Sequence, residues 1–355
     1  MTTEIATIKK SDSKTRLNKY DNLRGLGMIL VVVGHLMIYL EFIEPTIGNM
    51  ISLTALPLLF FVSGYLSKVE SSSIVKLFKN LMIPYVIFTL IWIVFDYFIL
   101  GYKFRSTPFL TEYTVLWYFF SLFIIRALLP ALVKIRYIFW ISLAFGLIIG
   151  LFPIRDNTIL ITKTVCLLPV FLLGYYIKNP ESGPNIKKFV SFFDKIFKNK
   201  YIILIIFLIT LGVLTAIFSQ WDYQIFQFKT SYESLDLRIR DGILTRFVAI
   251  MSGVILIFLL YYLMPNKKTF LTKIGVNSFA IYIFHYYFVT LLNKISKKTM
   301  MGDQKIWEIL HHDPILAFFV IVISWIAIVF ILSRDVITKI TLKLNGLFVK
   351  LLMRE

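Results

Sequence analysis

The chain is 355 residues long, 58% of its residues are hydrophobic, and its net charge is +18. A water-soluble domain of this length could not bury so much apolar surface, so the composition indicates an integral membrane protein. The positive charge does not indicate nucleic-acid binding, because the basic residues lie in short segments between apolar runs. The single cysteine, Cys166, excludes an internal disulfide and a thiolate metal cluster.

Apolar runs of about 20 residues, long enough to cross a bilayer as helices, recur along the chain. Because helices satisfy their own backbone groups in lipid, we predict an all-α membrane bundle of about ten transmembrane helices. The predicted segments are residues 24–43, 47–67, 80–100, 112–133, 137–153, 159–177, 201–219, 241–263, 271–293 and 315–335. They leave a basic N-terminal segment (1–23) and a basic tail (336–355) on either side of a transmembrane domain (24–335).

Lysine and arginine are concentrated in every second connecting segment of this arrangement. The N-terminal segment, the loop at residues 178–200 and the tail belong to the richer set. Positively charged loops are retained on the cytoplasmic side of a membrane. We therefore predict that both termini are cytoplasmic, and we expect a multi-pass protein of a bacterial plasma membrane.

Two ionisable residues, Arg24 and His35, interrupt the first apolar segment. At 1.5 Å per residue, His35 lies about 16 Å along the helix from Arg24, near the middle of the bilayer. A charged side chain there costs roughly 2.5–3.5 kcal/mol on insertion scales, so function is the default interpretation. An imidazole at that depth is suited to accept a proton from a hydroxyl. The alternatives are a packing role for His35 and a snorkelling role for Arg24.

Four stretches of the sequence occur in a specific order. They are Tyr20-Asp-Asn-Leu-Arg-Gly through Val-Val-Val-Gly-His35, then Leu58-Leu-Phe-Phe-Val-Ser-Gly-Tyr-Leu66, then Lys76 and Lys79 ahead of Leu81-Met-Ile-Pro-Tyr85, and finally Gly275-Val-Asn-Ser-Phe-Ala-Ile-Tyr-Ile-Phe-His285. In this order they resemble the motifs of the acyltransferase-3 membrane family over residues 20–335 or thereabouts. A further stretch, Leu116-Trp-Tyr-Phe, resembles the subgroup related to fucose 4-O-acetylases.

The resemblance implies an enzyme that moves an acyl group from cytoplasmic acyl-CoA to a hydroxyl of a glycan or a lipid-linked sugar. It makes Arg24 and His35 essential, with His35 as a general base or a transient acyl carrier. We expect acetyl-CoA as co-substrate, membrane lipids as surroundings, and neither a nucleic acid nor a metal. One departure is that Lys76 and Lys79 stand where relatives often have arginine, which removes bidentate phosphate binding.

The remaining candidate residues extend this assignment. We predict a catalytic role for His285, since twelve residues of straight helix from Lys273 place it about 18 Å up, at a depth similar to that of His35. The donor phosphates are assigned to Arg24, Lys76, Lys79 and Arg126, and the acceptor to Ser63, Trp117 and Arg246. For His285, Arg126 and Ser63, packing or snorkelling is the competing interpretation.

The segment at residues 220–240 mixes aromatic and charged side chains, which suits carbohydrate contact on the outer face. An interfacial aromatic belt is the alternative. A transporter or flippase for a glycan or lipid-linked sugar would also suit ten spans with buried charges. Such a protein usually has paired repeats, and the sequence shows no such pairing. A non-catalytic sensor or scaffold would not need His35.

Overall fold

Apolar helices form most of the protein in the computed structural model. The structure describes residues 18–42, 44–69, 73–102, 109, 115–155, 158–182, 188, 191–195, 197, 199–301 and 304–353. The first seventeen residues of the predicted N-terminal segment and the last two of the predicted tail lie outside this part.

The helices follow the apolar segments of the sequence. In chain order they are α1 (Asn18–Tyr39), α2 (Pro45–Leu66), α3 (Ile74–Leu100), α4 (Trp117–Leu132), α5 (Ile138–Leu151), α6 (Ile159–Lys178), α7 (Lys200–Phe218), α8 (Ile239–Leu263), α9 (Phe270–Val276), α10 (Ser278–Lys298), α11 (Ile306–His312), α12 (Pro314–Leu332) and α13 (Asp335–Leu352). A short antiparallel hairpin of β1 (Met300–Met301) and β2 (Gln304–Lys305) precedes α11.

The prediction of a helical membrane protein is confirmed. Within the described residues, seven helices are long and apolar enough to cross a membrane singly: α1, α2, α3, α6, α7, α8 and α12. The predicted segments 112–133 and 137–153 correspond to the shorter apolar helices α4 and α5, and 271–293 corresponds to the pair α9 and α10. The first helix starts at Asn18, so residues 18–23 of the predicted N-terminal segment are helical.

The prediction of a straight helix from Lys273 to His285 is wrong. The axes of α9 and α10 differ by 83°. The buried amide of Asn277 stabilises the break, because its Nδ2 donates to the backbone oxygen of Ser333 at 2.9 Å and to Oδ1 of Asp335 at 3.0 Å. His285 therefore lies only about 10 Å along α10 from its first residue.

The centre of the bundle consists of α1, α2, α6 and α10, which carry most of the fully buried side chains. By contrast, α7 and α12 expose aliphatic side chains such as Leu208 and Ile323. Such an outward apolar surface is what lipid contact requires. The predicted tail is largely helical, and α13 exposes Val336, Ile340 and Leu347 beside lysines, a pattern typical of a helix that lies on a membrane surface.

Two glycines allow α2 and α6 to pack backbone to backbone. A Cβ atom on Gly64 would collide with the carbonyl of Phe171, and one on Gly174 would collide with the carbonyl of Phe61. Small residues at membrane-helix contacts have this effect, since close backbones gain dispersion energy. The contact holds the Ser63 end of α2 against α6.

We expect Gly64→Ala or Gly174→Ala to lower the stability of the protein by about 1–3 kcal/mol, because a backbone contact cannot give way like a flexible side chain. The measurement is the Tm of the purified protein in detergent. The matched control is Gly212→Ala on α7, where an added Cβ meets nothing within 4 Å. Equal Tm values for all three variants would contradict this account of the contact.

Candidate functional site

A cavity of about 300 Å³ lies at the centre of the bundle. Its wall includes His35 of α1, Trp117 of α4, Lys163 of α6 and Tyr286 of α10. Aliphatic side chains of α1 and α2 form much of the remaining wall. A cavity of this size, mostly apolar with a few convergent polar groups, is typical of a small-molecule site.

The two histidines predicted at similar depth lie side by side. The centroids of the His35 and His285 rings are 5.3 Å apart. His35 contributes to the cavity wall, whereas His285 is completely buried behind it. In the described part of the chain, Nδ1 of His35 is buried with no hydrogen-bond partner. The structure therefore gives no support to a packing role in which this nitrogen bonds to a neighbouring helix.

A backbone bond sets the tautomer of His285. Its Nδ1 lies 2.9 Å from the carbonyl oxygen of Ile281, one turn earlier on α10. A carbonyl oxygen only accepts, so Nδ1 of the neutral ring carries the proton. The lone pair is then on Nε2, which is buried and has no partner among the described residues. His285 thus presents a proton acceptor, and it does so beside His35.

Two tyrosines complete the wall around His35, and the sequence analysis missed both. The hydroxyls of Tyr39 and Tyr286 share a hydrogen bond. Their ring centroids are 6.5 Å and 5.9 Å from that of His35. Tyr39 lies four residues after His35, so helical spacing would have placed both on one face of α1. These hydroxyls can orient a polar ligand at the imidazole.

Lys163 of α6 lies in the cavity wall. Its side chain is buried, with 5% of the residue exposed. The ammonium nitrogen lies 4.8 Å from the centre of the Trp117 ring, within the range of a cation–π contact. Trp117, one of the three predicted acceptor residues, therefore lies in the cavity wall beside Lys163.

The segment between α7 and α8 contributes to the cavity wall. Its residues 226–229 line the wall, and the rings of Phe226 and Phe228 are buried. The aromatic-belt interpretation does not fit these two rings, because they face the protein interior. Trp221 is bound to the bundle as well, since its backbone oxygen accepts from Asn49 at 3.1 Å.

Arg246, the third predicted acceptor residue, supports this segment from outside the cavity wall. Its Nη2 donates to the backbone oxygen of Thr230 at 2.7 Å, and its guanidinium lies 4.8 Å from the centre of the Tyr232 ring. The Tyr232 hydroxyl donates to the carbonyl of Leu147 at 2.6 Å. Burial raises the pKa of this hydroxyl above its ordinary value, so it stays protonated and keeps that bond.

A second polar group lies towards the opposite end of α1. There Arg24 contacts Asp21 at 3.7 Å and lies 3.5 Å from the backbone oxygen of Gly275. The guanidinium groups of Arg24 and Arg126 are close enough to interact electrostatically. Two neighbouring cations attract an anion, so this end of the bundle is suited to a phosphate.

Ser63 belongs to this second group. Its hydroxyl bonds to that of Tyr118 at 2.7 Å, and Tyr118 donates to the backbone oxygen of Leu59 at 3.1 Å. Because a phenol has one proton to donate, Ser63 is the donor in the first bond. The Nη2 of Arg126 lies 3.5 Å from the Ser63 backbone oxygen. Ser63 therefore lies with the candidate donor residues and not in the cavity wall.

The two predicted lysines lie near the start of α3. Lys76 is exposed and Lys79 is half-buried. Phe78 between them packs 6.2 Å from Phe123 of α4, the helix that carries Arg126. The structure thus brings this segment to the same helix as Arg126 but shows no contact between the lysines and Arg24.

Asn22 is a further residue that the sequence analysis missed. It is completely buried, and it ties the first turn of α1 to the segment around α9. Its amide donates two hydrogen bonds and accepts two, with lengths from 2.5 to 3.0 Å. The partners are the backbone oxygens of Pro265 and Lys267 and the hydroxyls of Thr269 and Thr272. These bonds fix the helical turn from which Arg24 projects.

The described residues contain no group of three or more His, Cys, Asp or Glu side chains that could hold a metal ion. His311 and His312 are exposed near the end of α11. His311 Nδ1 lies 2.9 Å from the Trp307 carbonyl oxygen.

The model of the acyltransferase-3 family, described as an acyltransferase domain, matches residues 17–334. The match covers the residues around His35, the residues around Arg24, and all of the described helices except α13. Neither a search of curated proteins nor a search of solved structures found a match.

Proposed function

Since this chain belongs to the acyltransferase-3 family, and is therefore a membrane acyltransferase, we propose that it is an O-acetyltransferase acting on a cell-surface or exported glycan. The observation that carries the proposal is the placement of His35, with an unbonded buried nitrogen, in the wall of a central cavity. In the proposed arrangement the chain crosses a bacterial plasma membrane about ten times, and both termini are cytoplasmic. Leu116-Trp-Tyr-Phe supports the subgroup related to fucose 4-O-acetylases.

The donor would bind at the Arg24 end. Acetyl-CoA supplies an acyl thioester and several phosphates, and the neighbouring cations Arg24 and Arg126 fit those phosphates. Lys76 and Lys79 add positive charge near the same helix as Arg126. His35 lies about 16 Å further along α1, which is within reach of a long flexible donor.

His35 would perform the chemistry at the cavity. As the acceptor oxygen bonds to the acetyl carbonyl carbon, His35 takes the hydroxyl proton, and the carbon–sulfur bond breaks. The proton then leaves on the thiol. As an acyl carrier, His35 would instead bond to the acetyl carbon as the carbon–sulfur bond breaks, and its ring proton would leave on the thiol; the acceptor hydroxyl would then displace the imidazole. In both routes the buried His285 supports the neighbouring imidazole with its own unprotonated Nε2.

A glycan transporter without transfer chemistry is the less favoured alternative. It would use the cavity as a passage, and it would not need an unbonded imidazole there. The family match and the position of His35 both favour the enzyme.

We expect His35→Gln to lower acetyl transfer by about 10²- to 10⁴-fold, the usual contribution of a general acid–base group. The measurement is incorporation of labelled acetyl into glycan by membranes that contain equal amounts of folded protein. The matched control is His312→Gln, which changes an exposed histidine outside the cavity and should leave transfer unchanged. Full transfer by the His35 variant would rule out the catalytic role.

We expect Arg24→Gln to weaken acetyl-CoA binding by about 10- to 100-fold, because a charge-assisted hydrogen bond contributes roughly 1.5–3 kcal/mol. Binding of labelled acetyl-CoA to the purified protein measures the change. Arg136→Gln is the control, since this arginine is exposed after α4. Unchanged affinity in the Arg24 variant would remove Arg24 from the donor site.

A further inference from the structure

The helix α13 begins where a membrane-spanning helix ends. The 19 residues of α12 rise about 28 Å, close to the roughly 30 Å thickness of the hydrocarbon layer of a bilayer. The first residue of α13, Asp335, follows the last residue of α12 by three positions. Because α13 also contains three lysines, it is not among the described helices that are apolar enough to cross a membrane. The helix therefore starts at a membrane surface.

One face of α13 packs against the bundle. Thr341 is only 1% exposed, and Ile337 and Leu344 pack against the hydrophobic core. At the start of the helix, the carboxylate of Asp335 accepts a hydrogen bond from the Asn277 amide at 3.0 Å. These contacts determine which faces of the helix point away from the protein.

A second face of α13 is apolar and exposed. Its members recur at intervals of four and seven residues, so they form one stripe along the helix. They are Val336, Ile340, Leu347 and Leu351, which are between 59% and 73% exposed. At the end of a membrane-spanning helix, an uncovered apolar stripe favours burial in the outer part of the lipid layer.

A third face of α13 is positively charged. Lys339, Lys343 and Lys350 are exposed, and each follows a residue of the apolar stripe by three positions, so the two stripes are neighbours. At 100° per residue, the apolar stripe lies between these lysines and the face that packs on the bundle. Asp335 is the one acidic residue of α13, and no lysine of the stripe forms an ion pair with a residue that the structure describes.

The order of these three faces fits a lipid surface. When the apolar stripe enters the acyl region, the lysines lie on the side away from the bundle, where their long side chains reach the headgroups of neighbouring lipids. An anionic headgroup attracts an ammonium group, whereas a zwitterionic headgroup has no net charge. The charge of the stripe therefore favours anionic lipids.

We propose that α13 lies in the membrane surface and binds the headgroups of anionic phospholipids through Lys339, Lys343 and Lys350. This surface is separate from the central cavity and from the candidate donor residues. Its test needs no acyl transfer, so it can succeed or fail independently of the proposed function.

Two glycines provide matched positions for a fluorescent label. Gly346 lies between Lys343 and Lys350, and an added Cβ there meets nothing within 4 Å. Gly212 on α7 has equally open surroundings. The dye is attached to Gly346→Cys or to Gly212→Cys in the full-length protein with Cys166→Ala. Each labelled protein is placed in phosphatidylcholine nanodiscs that contain increasing amounts of spin-labelled phosphatidylglycerol or spin-labelled phosphatidylcholine, which quench a nearby dye.

We expect phosphatidylglycerol to quench the dye at position 346 at least about fivefold more strongly than phosphatidylcholine, the contribution of a single lysine near an anionic surface. At position 212 the two lipids should quench equally. High salt should reduce the preference at position 346, because it screens exposed charges.

Charge variants assign the preference to the lysine stripe. The triple variant Lys339→Gln, Lys343→Gln, Lys350→Gln should lose the preference, and the corresponding triple arginine variant should keep it. The matched control removes the same charge from three exposed cations outside α13, through Arg238→Gln, Lys298→Gln and Lys305→Gln, and should also keep it.

Equal quenching by the two lipids at position 346 in the protein with its lysines intact would overturn the proposal. A preference that survives in the triple glutamine variant would overturn it as well. If the exposed stripe instead covers a second copy of this chain, two dyes at position 346 in one disc would exchange energy and neither lipid would quench them. That result would replace the lipid with a protein partner and overturn the proposal.

Discussion

The contact between two imidazoles depends on a bend in the backbone. The rings of His35 and His285 lie 5.3 Å apart because α10 begins anew at Ser278, after the 83° turn at Asn277. The turn is stable in an apolar bundle because the Asn277 amide donates hydrogen bonds to the backbone oxygen of Ser333 and the carboxylate of Asp335, just after α12. With this bend in place, His285 of α10 lies beside His35 of α1, and the central cavity lies next to this pair.

Positively charged side chains lie in two parts of the bundle. Arg24 and Arg126 lie towards one end, and Lys163 and Lys229 belong to the cavity that contains His35. The charged residues near Arg24 and the cavity that contains His35 therefore occupy different parts of the bundle. Because the cavity wall is mostly apolar, each of these charges acts more strongly than it would in water.

The sequence was sufficient to locate most of the apolar helices and to select His35 as a candidate. Long apolar runs identify membrane helices, and the cost of a buried imidazole singles out His35. The inward placement of Phe226 was not predictable, because it depends on how the segment before α8 folds over the bundle. The burial of Lys163 was not predictable either, because it depends on packing beside Trp117 of another helix. The bend at Asn277 depends on partners more than fifty residues later, which no local pattern reveals.

The central claim is that a donor held at Arg24 delivers its acyl group to His35 inside the bundle. An electron cryomicroscopy structure with a non-hydrolysable acetyl-CoA analogue tests it most directly. The account predicts phosphate density beside Arg24 and Arg126, and the acyl carbonyl within contact distance of the His35 ring. An analogue whose acyl end lies outside the cavity, or whose phosphates lie away from both arginines, would contradict the account.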